Sequence, residues 1–440
     1  MSANHKSNFE KSYLKSETIA EIGRVTKING TTIHISGLEK QAALGDRVRI
    51  YTAKETPIFA EIVAVEPNSL IALADSETKG LKLHQPVRLM DPVTLNPCYH
   101  WLGKVLDPFG HSLGKEWVMQ GNDSLDLYRN PPTLRRRMGG RLSTGFAILD
   151  TILPIVRGQR VGIFAGPGVG KSTLIAGLAE TLESEITIIA LIGERGREVQ
   201  EFAQEKLSSE TKKRSIIFAA TSDMPATQRL RCLYSAMTTA EYFRDLGKSV
   251  VLIADSITRF AEAHREVATI AGEMPVLRGY PPSIAATLMK LCERAGPGAN
   301  EQGDITAVFS VLVPGQDMDE PISDILRGTL DGHIILSRSI AERGRFPAID
   351  VPRSASRALP AAATHSENAL IQNFRRLSAL YAENETMIKA GLYNHGSNPE
   401  IDQAIKVAAD LDEFITLNDS RNVKDSFKKL QLIFRKHQIA

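Results

Sequence analysis

The sequence predicts a multidomain α/β protein with three parts: an N-terminal six-stranded β-barrel, a central α/β core built on parallel strands, and a helical C-terminal domain. Three observations carry this reading. Short Val/Ile/Thr-rich runs broken by turn residues fill the first part. Near-continuous apolar runs alternate with helical stretches from Gly158 to about Val351, and helical apolar spacing takes over after Leu359-Pro360. At 440 residues the chain is long enough for two or three cores.

The barrel is read from Gly23-Arg-Val-Thr-Lys-Ile, Thr31-Thr-Ile-His-Ile, Arg47-Val-Arg-Ile-Tyr and Glu61-Ile-Val-Ala-Val, which are separated by Asn29-Gly30, Gly45-Asp46 and Pro67-Asn68. Residues 19–90 form this domain, behind a polar segment 1–18 read as a tail or a partner-binding helix. Residues 91–362 form the second domain. Its entry, up to Gly145, is rich in Gly and Pro and reads as irregular structure. Its strands are expected at Arg160–Ala165, Ile186–Ile192, Ser215–Ala219, Ser249–Ala254 and Ile305–Leu312, apolar throughout because both faces of a parallel sheet are covered. Residues 363–440 form the helical domain, typified by the spacing over Ala369–Tyr381.

Composition excludes several classes of function. Lys plus Arg total 53 against 51 for Asp plus Glu, too even a balance for the positive field of a non-specific nucleic-acid binder. No apolar run reaches the ~20 residues that span a bilayer, and the polar start Met1-Ser-Ala-Asn-His-Lys is not a signal peptide. Cys98, Cys232 and Cys292 are far apart and form no CxxC pair, so they read as buried or incidental thiols in a reducing cytoplasm.

The chemistry is concentrated in four places. Between an expected strand and an expected helix starting at Thr173 lies Ala165-Gly166-Pro167-Gly168-Val169-Gly170-Lys171-Ser172-Thr173. A loop of this type turns backbone N–H groups onto a polyphosphate, with Lys171 reaching the β- and γ-phosphates and the Ser172 hydroxyl ligating Mg²⁺. Ala165 stands where the pattern usually has its first Gly, a position that tolerates Ala while φ stays negative. The strand Ser249–Ala254 ends in Asp255, where a carboxylate that organises the metal is needed, directly or through water. The strand ending at Ile192 runs into Gly193-Glu194-Arg195-Gly196-Arg197-Glu198, and Glu194 is best placed to activate water, with Glu198 as the alternative. Finally, Arg343, Arg345, Arg353 and Arg357 cluster around Phe346, either as solvated surface charges or as cations for a transferred phosphoryl group.

Together, Gly166-Pro-Gly-Val-Gly-Lys-Ser, Ile192-Gly-Glu-Arg-Gly-Arg-Glu198, Ala254-Asp-Ser-Ile-Thr-Arg-Phe260, Gly279-Tyr-Pro-Pro-Ser283, Leu330-Asp-Gly-His-Ile-Ile-Leu-Ser-Arg338 and Phe346-Pro-Ala-Ile-Asp350 resemble the ATPases of type III protein export, relatives of the catalytic subunits of rotary ATP synthases. The resemblance runs over residues 19–415. Ser356-Arg-Ala-Leu-Pro-Ala-Ala-Ala363 and Met387-Ile-Lys-Ala-Gly-Leu-Tyr393 look closer to flagellar than to injectisome members, and Gln316 stands where the family usually has an acidic residue.

The resemblance implies a RecA-like P-loop ATPase core that hydrolyses ATP with Mg²⁺ in a homohexamer. It implies Lys171, Glu194, Arg195, Asp255, Arg259 and Arg357 as catalytic residues, with Arg357 reaching into the neighbouring subunit's site. Phe346 and Tyr393 are implied on the two sides of the adenine, and the Met274–Tyr280 loop, with Glu273 and Arg278, at a central pore. Implied partners are a regulator dimer at the N-terminal segment, a central stalk, export-gate proteins, and export substrates with their chaperones. The implied location is cytoplasmic, peripheral at the inner-membrane base of the flagellar export apparatus. An injectisome ATPase is the alternative. An RNA-dependent ring helicase is disfavoured, because the barrel offers only Tyr51 and Phe59 to stack bases. A non-catalytic ring subunit is disfavoured because Glu194 is present.

Overall fold

The computed structural model describes residues 22–52, 56–114, 116–418 and 422–439; the expected tail or partner-binding helix at 1–18 lies outside them. The barrel makes up the bulk of one compact unit, and the sheet with its helices makes up most of a second.

Six strands close the barrel: β1 Ile22–Asn29, β2 Thr32–Ser36, β3 Arg47–Ile50, β4 Ile58–Glu66, β5 Ser69–Ala74 and β6 Pro86–Leu89, in the order β1-β2-β5-β4-β3-β6. Alternation fixes the faces: Val25, Ile33, Ile35, Val48 and Ile50 point inward, while Arg24 and Arg49 point out. Closure leaves no strand edge unpaired. The four runs picked from the sequence are β1 to β4, and β5 and β6 complete the expected six.

The second unit holds a sheet with the order β15-β14-β8-β13-β11-β9-β10-β7. Its strands are β7 Val105–Leu106, β8 Arg160–Ala165, β9 Ile186–Glu194, β10 Ser215–Thr221, β11 Ser249–Asp255, β12 Gly296–Pro297, β13 Asp304–Leu312, β14 Gly332–Leu336 and β15 Ala355–Ser356. β15 pairs antiparallel with β14, and β12 antiparallel with β13; the rest run parallel. All five expected strands are present. β14 is shorter and carries His333, so its apolar signal was weak, and β7 and β15 are two residues each.

Period two divides the apolar side chains between two cores. Val161, Ile163, Ile189, Val251 and Val308 face one side; Phe164, Ile188, Leu252, Ala307 and Phe309 face the other. The helices used below are α1 Lys171–Thr181, α2 Gly196–Glu201, α3 Ile257–Ile270, α4 His365–Lys389, α5 Pro399–Thr416 and α6 Val423–Lys436. The first core is continuous with the C-terminal helices, whose Phe374, Leu377, Val407, Leu411, Phe414 and Leu430 belong to it. A capping box fixes where α4 begins: Thr364 Oγ accepts from the Glu367 amide, and the Glu367 carboxylate accepts from the Thr364 amide.

The segment 91–145 is irregular, as expected, apart from a short 3₁₀ turn at Tyr99–Trp101 and β7. A buried ion pair anchors it: Arg294 donates to both Glu241 oxygens at 2.8–2.9 Å and to the Leu127 carbonyl at 2.6 Å. Cys232 and Cys292 are fully buried, as read from the sequence, and burial pushes both thiols far up.

Candidate nucleotide site

The glycine-rich loop leaves the carboxyl end of β8 and enters α1. Gly168 and Gly170 have φ of 75° and 86°, a region that L side chains avoid. Gly170 caps α1, so the helix begins at Lys171, two residues earlier than expected at Thr173. Ala165, the departure from the usual pattern, is the last residue of β8 and buried at 1% exposure, so its methyl group fills core space. The first amides of α1 have no intrahelical acceptor and, with the helix dipole, make a seat for phosphate. Ser172 and Thr173 are exposed on that first turn.

Three adjacent strands converge beneath this loop. Lys171 Nζ pairs with Asp255 Oδ1 and donates to Ser310 Oγ at 3.3 Å, while Ser310 Oγ donates to the same Asp255 oxygen at 2.5 Å. Asp255 ends β11 at 4% exposure. Ser310 was missed in the sequence reading. The available signal was a hydroxyl inside the largely apolar run Ile305–Leu312, whose burial needs a partner; Thr306, the other hydroxyl of the run, accepts from the Gly158 amide.

Glu194 is the last residue of β9, which lies beside β11. Burial pushes its carboxyl up to about 7; the negative charge of Asp255 and a hydrogen bond and charge from Glu198 act the same way, and Lys171 opposes them. Glu198, in the first turn of α2, is thus a hydrogen-bonded partner of Glu194 rather than a remote surface acid. Arg195 is exposed, with Nη1 3.9 Å from Glu198 Oε1. Arg259, on the first turn of α3, donates to Glu262 at 2.9 Å. That hydrogen bond, with the charges of Glu262, Glu194 and Glu198, raises its pKa further. Its stem packs where a Cβ on Gly193 would lie, at 3.2–3.3 Å, so position 193 has little room for a side chain.

The base-side residues sit differently. Phe346 is half exposed, with its ring 3.1–3.3 Å from where a Cβ on Gly170 would project. It therefore borders the phosphate loop directly. The Tyr393 hydroxyl donates to Asn398 O and Asp402 Oδ1, both at 3.0 Å, which commits that side chain to its own loop. No ring contact joins Phe346 and Tyr393 among the described residues.

Arg357 is not brought to Lys171 and Glu194. It follows β15, whose Ser356 pairs with Gly332, and Gly332 pairs with Val161 near the start of β8, whereas the loop leaves β8 at its other end. Arg357 is exposed and donates to Arg327 O at 3.2 Å. In the loop expected at a pore, Met274 and Val276 are 79% and 68% exposed.

The chain matches the ATP synthase alpha/beta family, nucleotide-binding domain, over residues 145–356, and the T3SS EscN ATPase C-terminal domain over residues 363–431. The flagellum-specific ATP synthase of Treponema pallidum (strain Nichols) is 39% identical over 429 residues, covering 96% of this chain and 95% of that protein. The SPI-2 type 3 secretion system ATPase of Salmonella typhimurium (strain LT2) is 43% identical over 386 residues, covering 87% of each. The structure of the assembled ATPase EscN from the enteropathogenic E. coli type III secretion system superposes with a TM-score of 0.87 at 35% identity, covering 93% of this chain and 99% of that one. A further structure holds EscN with its central stalk EscO, with a TM-score of 0.84. Likeness at this level over nearly the whole length, in sequence as well as fold, makes the chain an ATPase of the ATP synthase α/β family, in the branch that serves type III protein export.

Proposed function

We propose that the chain hydrolyses Mg-ATP as a homohexamer in flagellar protein export, each site being completed by Arg357 of the adjacent copy. The observation that carries this is the division of the machinery: Lys171, Asp255, Ser310 and Glu194 gather at one end of the sheet, and Arg357 stands exposed near the other end of the strands. An arginine that cannot serve its own site is free to serve a neighbour's, in the ring arrangement of a heterologous interface.

Ser172 and Asp255 offer hard oxygen donors that suit Mg²⁺, which, when bound, neutralises charge on the phosphate oxygens. The incoming polyphosphate draws Lys171 away from Asp255. Glu194, with its carboxyl near neutrality, accepts the proton of the attacking water. Arg259 and Arg195 line the γ-phosphate side, and Phe346 stacks on the adenine; the hydroxyl bonds of Tyr393 leave it as the edge of that pocket.

The EscN–EscO complex supports a central stalk as partner, met by the Met274–Tyr280 loop, which is exposed from Met274 to Gly279. No helix among the described residues is long and apolar enough to cross a membrane, which is compatible with peripheral docking at the inner-membrane base. Export substrates, their chaperones, export-gate proteins and a regulator dimer at the N-terminal segment complete the reading. The 43% identity to the SPI-2 ATPase favours an injectisome as second reading, and restoring swimming to a strain lacking its flagellar export ATPase separates the two.

The test is complementation within the ring. Arg357→Ala and Lys171→Ala proteins should each show only background turnover when alone, and Arg357→Ala should still bind ATP. Mixed in equal amounts, about a quarter of interfaces regain an intact loop facing an intact arginine, so activity should return to roughly that fraction. No recovery on mixing, or full activity of Arg357→Ala alone, rejects the shared site.

A further inference from the structure

The segment that carries Phe346 does not rest on a packed core along its whole length. Between the stretch Ser337–Pro352 and helices α4 and α5 lies a cavity of about 530 Å³, with Arg343 and Arg345 on one wall and Tyr381, Leu411 and Asp412 on the other. Two ion pairs span it. Arg343 Nη1 lies 2.6 Å from Glu385 Oε1 on α4, and Arg345 Nη1 pairs with Asp412 on α5. Arg345 Nη2 also donates to Ile349 O at 3.0 Å, and its buried Nε has no acceptor.

The two pairs differ in weight. Each pair has one covered and one exposed member, Arg345 at 18% with Asp412 at 59% and Glu385 at 23% with Arg343 at 55%; what sets them apart is that Glu385 is shared with Lys389, whereas Asp412 meets a guanidinium that is itself mostly covered. Removing Asp412 leaves a largely covered guanidinium with a single carbonyl as acceptor. Where close-packed side chains hold a segment, loss of one polar tie moves little, but across a cavity the tie itself sets the position.

We propose that the Arg345–Asp412 pair is a latch that fixes where Phe346 meets the base of the nucleotide, so that α5 controls base recognition, with Arg343–Glu385 as a weaker second point. Arg345 and Asp412 are positioning residues: neither touches the nucleotide, and both act through Phe346, one residue away from Arg345. The inference rests on the reading of Phe346 as the residue that stacks on adenine. Displacement of the C-terminal helices then loosens the base before it disturbs the phosphate end, because Asp255 and Ser310 lie within the sheet and Lys171, at the start of α1, is tied to both.

The experiment is steady-state hydrolysis of ATP and of UTP by the full chain, since the smaller pyrimidine gains less from stacking. Asp412→Asn should raise the KM for ATP by about fivefold to tenfold, leave kcat within about twofold, and change the KM for UTP much less, lowering the preference for ATP. Arg343→Gln should do the same to a smaller extent. The charge-exchanged pair Arg345→Glu with Asp412→Arg should recover most of the loss, and the change in ATP-over-UTP preference at nearly constant kcat is what a merely structural role does not predict. Phe346→Ala should reproduce the signature of Asp412→Asn. If Phe346→Ala abolishes the preference while Asp412→Asn leaves it intact, or the exchange gives no recovery, the latch is wrong and the stacking reading stands. If Phe346→Ala leaves the preference unchanged, the stacking reading itself is wrong.

Discussion

At the phosphate end of the site, two neighbouring strands and the start of α1 deliver Asp255, Ser310 and Lys171 into one hydrogen-bonded cluster from which solvent is nearly excluded. At the base end, Phe346 is half exposed on a segment tied across a cavity by ion pairs, and Tyr393 is held by its own loop. The first arrangement is set by sheet register, which shifts only if the core unpacks. The second depends on helices outside the sheet. Chemistry is thus built into a rigid part, and recognition into a part that movement of the C-terminal helices can adjust.

The comparison breaks most visibly if the phosphate end tolerates change. Glu194→Gln removes the only carboxylate that terminates β9 and should lower kcat by about a thousandfold while ATP binding, followed with a fluorescent analogue, stays within a few-fold. A small loss in kcat moves the water-activating role to Glu198. Ser310→Ala is a milder probe of the same corner. It withdraws one donor from Asp255 without changing charge, and should lower kcat about tenfold with little effect on the melting temperature. An unchanged kcat means that Lys171 alone orients Asp255.

What the sequence made legible follows the same division. The phosphate loop was readable because its glycines, Lys171 and Ser172 are contiguous, and the strand before it and helix after it announce themselves by period. Glu194 and Asp255 were readable because each closes an apolar run. Ser310 was hidden, since a residue in the middle of a strand declares its neighbours only once strand order is known, and β13 lies between β8 and β11 against sequence order. The Arg345–Asp412 tie was hidden for a similar reason: 67 residues separate the partners, and spacing says nothing about pairs that meet only through tertiary packing. Glu198 was weighed as an alternative to Glu194, and the structure makes the two a pair.

That pairing gives the smallest and most discriminating prediction. In the free enzyme, burial and the charges of Asp255 and Glu198 hold the Glu194 carboxyl up to about 7, and a general base acts only when deprotonated. The kcat/KM for ATP should therefore rise with pH through about 7 and level off above it, standing near a tenth of its plateau at about pH 6. Glu198→Gln removes a negative charge and a carboxyl that shares the proton, and its amide can donate to ionised Glu194. Both changes favour the charged form, so the acid limb should move to lower pH and the fraction of plateau activity kept at pH 6 should increase. Phe346→Ala, acting at the base end, should scale the whole profile without moving its midpoint. A limb that stays in place in Glu198→Gln, or moves upward, means that Glu198 does not share the proton of Glu194; a midpoint that moves in Phe346→Ala means that the two ends are not separate.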